Sequence, residues 1–205
     1  MKKTFILLAA SSLLAVSAFA QGTVVFANAI GSSTHISTNL NGSVRGQVGL
    51  TPSFLNYGLF IGAAGSGSNG LALASNATGG ASLITTNSTT SIGRFDGDFG
   101  GTYVGIQGFA ASSTADVQIR AWAASYGNNW QAAFAANQAN TPGAWYGAST
   151  VATISLNPAG GPGTVLFTSG VLTGFDVYST VPEPSTIALG MLGLASVMFL
   201  RRRNK

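Results

Sequence analysis

The sequence predicts an all-β protein: a single β-sandwich or jelly-roll-like domain, with an N-terminal signal peptide before it and a C-terminal transmembrane helix after it. Three observations point there. Short apolar runs recur along the middle of the chain, each broken by glycine, serine or asparagine. Glycine fills 28 of the 205 positions, about twice its ordinary share of ~7%. Charged residues make up only 7%, against roughly 25% in a typical soluble domain. Many short strands with glycine-rich turns read as a sandwich or jelly roll. An irregular β-helix is the competing all-β reading, weakened by the lack of a fixed period of about 20–50 residues.

Residues 1–20, MKKTFILLAASSLLAVSAFA, open the chain. Lys2 and Lys3 give a positive start, Phe5–Val16 an apolar stretch, and Ala18-Phe19-Ala20 a small-residue site. Charge, apolar core and cleavage site in that order predict a secretory signal peptide cut after Ala20, leaving Gln21 as the new N-terminus. The body then runs over 21–180. Its candidate strands are Thr23–Asn28, Val44–Leu50, Tyr57–Gly62, Tyr103–Phe109, Asp116–Ala123, Thr150–Leu156, Thr164–Thr168 and Phe175–Ser179. Alternation is clearest at Asp116–Trp122: Val117, Ile119 and Ala121 face one way, and Gln118, Arg120 and Trp122 the other, as in a half-buried strand. Turns fall at Asn41-Gly42, Gly79-Gly80, Gly100-Gly101 and Gly160–Gly163. Alanine-rich Trp130–Asn137 is the one candidate helix.

The segment 181–205 begins with Pro182-Glu183-Pro184-Ser185. Each proline biases the residue before it toward extended backbone, so an exposed tether is expected. An uncharged run, Ile187–Leu200, follows and ends at Arg201, Arg202 and Arg203. Its 14 residues rise only about 21 Å as a helix, short of a ~30 Å hydrocarbon core. The arginines nevertheless predict a membrane stop, with the C-terminus on the cytoplasmic side. These parts in this order resemble the PEP-CTERM sorting signal of Gram-negative bacteria, a tail also catalogued as an ice-binding-protein C-terminal domain. The resemblance implies recognition by an exosortase at or near the Pro-Glu-Pro motif, a transient membrane anchor, and release to the envelope, cell surface or exterior. It also implies a link to exopolysaccharide or biofilm. The body is loosely similar to the glycine-rich all-β domains that often precede such tails.

The basic balance, net +4 with a pI near 9.8, does not mark a nucleic-acid binder. Lys2, Lys3, Arg201, Arg202, Arg203 and Lys205 belong to the two ends. The body holds Arg45, Arg94 and Arg120 against Asp96, Asp98, Asp116 and Asp176, a net −1. Phosphate recognition needs clustered cations, and these are scattered. Disorder driven by charge is excluded by 46% hydrophobic residues, and the absence of cysteine excludes disulfides and thiolate metal sites.

No catalytic residue, cofactor or resident metal is expected. Gly65–Gly70 fits the letters of a dinucleotide fingerprint, but Gly79-Gly80 interrupts any following helix. Asp96 and Asp98 could start a calcium loop, yet no further oxygen ligands follow at the required spacing. His35 is the sole histidine, among polar residues in an expected solvated loop, and no nucleophile elbow accompanies it. Asn76 and Asn87 head sequon-like triplets, and the polar run Ser82–Ser91 lacks the recurrence of an ice-binding face. Trp122, Trp130 and Trp145 are candidate glycan contacts, since aromatic faces stack on sugar rings when exposed and otherwise fill cores. The expectation is an exported, non-catalytic structural or interaction protein, with a carbohydrate-binding module as the alternative. Its partners would be the Sec translocon, exosortase, the membrane and exopolysaccharide.

Overall fold

A computed structural model describes residues 21–28, 35–40, 43–49, 51, 53–97, 103–168 and 171–179. The expected signal peptide, Pro-Glu-Pro motif, apolar run and arginine stop lie outside the described residues. Among those described, no helix is long and apolar enough to cross a membrane.

Among the described residues the body is all-β with one short helix. Its strands are β1 (Gln21–Val25), β2 (Ser37–Leu40), β3 (Ser43–Gln47), β4 (Leu55–Ala63), β5 (Ala72–Leu73), β6 (Ile84–Thr86) and β7 (Val104–Ala110). They continue as β8 (Thr114–Ala123), β9 (Tyr146–Ala148), β10 (Ala152–Ser155), β11 (Asn157–Pro158), β12 (Thr164–Val165) and β13 (Asp176–Ser179). The helix α1 spans Trp130–Gln138. A smaller sheet pairs β1 with β7 on one side and with β11 and β12 on the other. The larger sheet runs β3-β2-β13-β9-β8-β4-β5, with β10 also on β8 and β6 also on β4.

The longest ladder joins β4 to β8, antiparallel from Leu55↔Ala123 to Ala63↔Ala115. Antiparallel pairing of β8 with β4, β9 and β10 does not fit a β-helix, whose successive coils stack in parallel. The apolar set of each strand meets one core: Val24, Val104 and Ile106 from the smaller sheet join Leu59, Val117 and Ile119 from the larger. Phe95 locks this core, stacked on Tyr57 at 4.7 Å and tilted against Phe26 at 5.4 Å.

Tyr57 is wholly buried and its hydroxyl has no hydrogen-bond partner among the described residues. Burial pushes its phenol far up, so it stays protonated. Removing an unsatisfied polar atom while keeping the ring should stabilise the fold. Tyr57→Phe is expected to raise the unfolding free energy by about 1 kcal/mol, read as a higher urea midpoint at unchanged slope; a lower midpoint would reveal a partner for the hydroxyl.

The expected half-buried strand at Asp116–Trp122 is buried on both faces: nine of the ten β8 residues are buried. The reason is a second layer. Residues 124–138 fold back over the polar face of β8, so that face becomes a minor core of Phe60, Leu71, Trp122 and Ala133. Five strands have no counterpart among the expected ones: β2, β5, β6, β9 and β11. They are short, and their order comes from neighbours rather than from their own alternation. Thr150–Leu156 and Thr164–Thr168 are only partly laddered, over β10 and β12.

Candidate functional site

Residues directly opposite in a ladder point to the same side of a sheet. The β4–β8 register sets Asn56 opposite Trp122, Gly58 opposite Arg120 and Phe60 opposite Gln118. The β8–β9 register adds Tyr146 opposite Trp122 and Ala148 opposite Arg120. These residues therefore share the outer face of the larger sheet. Gly58 makes the arrangement possible, because a Cβ there would lie 2.9 Å from two ring carbons of Trp122.

Above this face sits α1. Asn129 caps it, its side-chain oxygen accepting from the Ala132 amide at 3.0 Å. The cap fixes the first turn, so Trp130 projects back onto the sheet and meets Phe60 edge-on at 5.2 Å. Phe134, one turn later, tilts against Tyr146 at 4.9 Å and stays 41% exposed. On the other side, the β4–β5 connection contributes a 3₁₀ turn at Ser68–Gly70. Between helix, turn and sheet lies a cleft of about 470 Å³ whose lining includes Ser68, Gln118, Arg120, Trp130, Phe134 and Tyr146. That volume falls within the ~300–1,000 Å³ range of small-ligand sites.

Arg120 forms its floor. The guanidinium carbon lies 4.2 Å from the Phe60 ring centre and 4.6 Å from that of Trp130. Nε donates to Gln118 Oε1 at 2.9 Å, and Nη2 donates to the Ser68 carbonyl at 2.7 Å. Gln118 is itself held, its amide donating to the Ser149 carbonyl at 2.8 Å. Burial pulls the Arg120 pKa below its usual value, with Tyr146 opposing. Burial likewise pushes the Tyr146 phenol up, with Arg120 opposing.

Asp116 fastens the turn rather than the cation. Its carboxylate accepts from Thr153 Oγ1 at 2.6 Å and from the Gly67 amide at 3.1 Å. The Thr153 hydroxyl and then the Gly67 amide hold its carboxyl below the usual carboxylate range. Gly67 takes φ +61°, a backbone conformation that favours glycine. The Gly65–Gly70 letters thus build a cleft wall and open no α-helix.

The three tryptophans do not line one groove. Trp130 is half-buried and faces the cleft. Trp122 corrects the expectation of a sugar contact: it is wholly buried, and its Nε1–H donates to the Gly127 carbonyl at 2.7 Å. The 3₁₀ turn at Ala124–Tyr126 and the start of α1 seal the face that alternation had left open. Trp145 packs against the main core, edge-on to Phe54 at 5.6 Å, and does not line the cleft.

His35 is half-buried rather than solvated, with Nδ1 closed off and without a partner among the described residues. The cause is the Gly93 turn, tied over it by bonds from Ile36 to Gly93 and from Gly93 to Val48. Asp96 joins a bridge with Ala27, and its carbonyl accepts from Thr85 Oγ1. Asp98 lies outside the described residues, among which no group of three or more His, Cys, Asp or Glu could hold a metal ion. Asn87 is buried, and its side-chain oxygen accepts from the Phe54 and Leu55 amides, a structural tie at the start of β4.

Sequence reasoning did not single out Arg120, Phe134 or Tyr146 as site residues. The signal was an arginine alternating into the middle of an apolar strand, where a cation must find a designed surrounding.

Residues 180–203 match the PEP-CTERM protein-sorting motif. No curated protein and no solved structure matches the chain. The match marks an exosortase-targeted exported protein, made as a membrane-anchored precursor and processed to the cell surface.

Proposed function

We propose that the body is a non-catalytic interaction protein of the cell envelope or matrix that associates with exopolysaccharide through a carbohydrate-binding cleft. The observation that carries this reading is the cleft itself. Trp130 and Phe134 offer aromatic surface, while Gln118, Ser68 and Tyr146 supply hydrogen-bonding groups around one cation. Apolar faces with a few convergent polar groups are the pattern of sugar-sized sites. Among the described residues, no carboxylate or histidine lines the cleft, and glycoside hydrolysis ordinarily needs a pair of carboxylates. Binding without turnover is the chemistry this lining supports.

Delivery rests on the tail. The N-terminal charge, apolar stretch and Ala18-Phe19-Ala20 site support entry through the Sec translocon. Pro182, Glu183, Pro184 and Ser185 form the stretch that exosortase would engage, with Arg201, Arg202 and Arg203 holding the anchor until then. Mass spectrometry of the protein from hosts with and without exosortase tests this half. Loss of the C-terminal segment only when exosortase is present is the expected result; an intact C-terminus in both would overturn it. A polysaccharide pull-down tests the other half. Trp130→Ala should retain at least about fivefold less polysaccharide than wild type, the loss of roughly 1 kcal/mol of stacking. Equal retention would remove the cleft from the binding surface.

A further inference from the structure

Among the described residues, the cation in the cleft has no counter-ion. Every partner of the Arg120 guanidinium among the described residues is neutral: the Gln118 amide oxygen, the Ser68 carbonyl, two aromatic faces and the Tyr146 phenol. Asp116 lies on the same face of β8, but its carboxylate is turned to Thr153 and Gly67. A buried arginine carries a desolvation cost that an apolar side chain of similar size avoids. The bonds to Gln118 and Ser68 engage two of the five N–H groups that a guanidinium carries, and the Tyr146 phenol meets another. The remaining edge is the part of the cleft floor that lacks an anionic oxygen.

We propose that the cleft is selective for acidic sugars: a pyranose ring bearing a carboxylate or sulfate ester, with the anionic oxygens on Arg120 and the ring against Trp130 and Phe134. The inference rests on the carbohydrate-binding reading above and adds the charge of the ligand. A planar carboxylate matches the guanidinium fork with paired hydrogen bonds, and such charge-assisted bonds are roughly twice as strong as neutral ones. Weak hydration of the guanidinium and its placement between Phe60 and Trp130 keep it rigid, so little side-chain freedom is lost on binding. The body is otherwise almost without charge, with three arginines and four aspartates. Discrimination therefore comes from this one group, not from a general positive field.

Calorimetry on the full chain, purified in a polyoxyethylene detergent, provides the test. The probes are a galacturonate trisaccharide, the galactose trisaccharide of the same linkage, a sulfated galactose trisaccharide and inorganic sulfate alone. The acidic trisaccharides should bind about 10- to 100-fold tighter than the neutral one. Arg120→Met, which keeps the stem and removes the charge, should bring the acidic and neutral trisaccharides to equal affinity. Trp130→Ala should weaken all three sugars together. If the carboxylated sugar alone is preferred, the anionic group is a uronate; if the sulfated sugar alone is, it is a sulfate ester. Equal affinity of wild type for acidic and neutral sugars would overturn the selectivity and leave the carbohydrate reading standing. Persistence of the preference in Arg120→Met would overturn it as well. Inorganic sulfate binding as tightly as the sugars would reduce the site to a simple anion site. No heat with any trisaccharide up to ~10 mM would overturn both readings. Should Arg120→Met fail to fold, salt decides instead. Acidic-sugar affinity of the wild type must fall between about 0.05 and 0.5 M sodium chloride, and constancy would sink the proposal.

Discussion

Trp122→Ala should lower the unfolding free energy by about 3–5 kcal/mol, the usual cost of emptying a large aromatic site. The ring has no exposed surface and lies against Gly58, which leaves it no alternative position. Truncation opens a void between sheet and α1, and it leaves the Gly127 carbonyl with the Asn56 side-chain amide in place of two donors. Against a typical domain stability of about 5–15 kcal/mol, that is roughly a fifth of the total or more. Urea denaturation should show the lower midpoint, and a shift worth less than about 1 kcal/mol would mean that the ring is not the packed element described here. The same loss affects any binding assay. A Trp122→Ala protein that fails to hold polysaccharide would report a collapsed cleft wall, whereas Trp130→Ala changes the surface that a sugar meets.

Gly147→Ala should cost about 1–3 kcal/mol, at the upper end of what overpacking by one methyl group causes. A Cβ at this position would collide with the carbonyl oxygen of Asp176, and the Val177 Cα would lie 2.9 Å away. Both are backbone atoms of β13, so no side-chain rotation relieves the clash. The strand itself must move away from β9. Hydrogen exchange should therefore quicken at β13 and β2 more than in the β4–β8 ladder. Uniform protection across the larger sheet, at unchanged urea midpoint, would show that the strands have room the structure does not give them.

How far the sequence could be read follows from what each signal depends on. The all-β body and the helix at Trp130 were legible because alternation and alanine content are local properties. The long strand at Asp116–Ala123 was legible for the same reason, down to which side chains share a face. What that face meets was not. Alternation reports two sides of a strand and says nothing of whether fifteen residues further on will return to cover one of them. Trp122 was thus placed on the correct face, but whether it packs in a core, the default for a large aromatic, or meets a sugar could not be read from the strand alone. Arg120 was passed over for a related reason, since an outward arginine on an open sheet needs no explanation. Only the covering layer converts it into a cleft floor. β2 and β9 were missed because Ser37–Leu40 and Tyr146–Ala148 carry no pattern of their own; their partners define them. The tail was the reverse case. Its three parts are read by composition and order alone, and the match over residues 180–203 bears out the resemblance to a PEP-CTERM sorting motif.

The position of β13 has a mechanical consequence. Ser179 ends the strand, and the matched sorting motif starts at residue 180, so tension on the tail is delivered straight into β13. That strand is not at the rim of the sheet. It is held between β2, in parallel register from Asp176↔Ser37 to Ser179↔Leu40, and β9. A pull along the strand loads these ladder bonds together, in shear, whereas a terminal edge hairpin would unzip one bond at a time. The body is thereby coupled to its leash like a rivet rather than a zipper: traction on the tail is spread across the sheet before any single bond must yield.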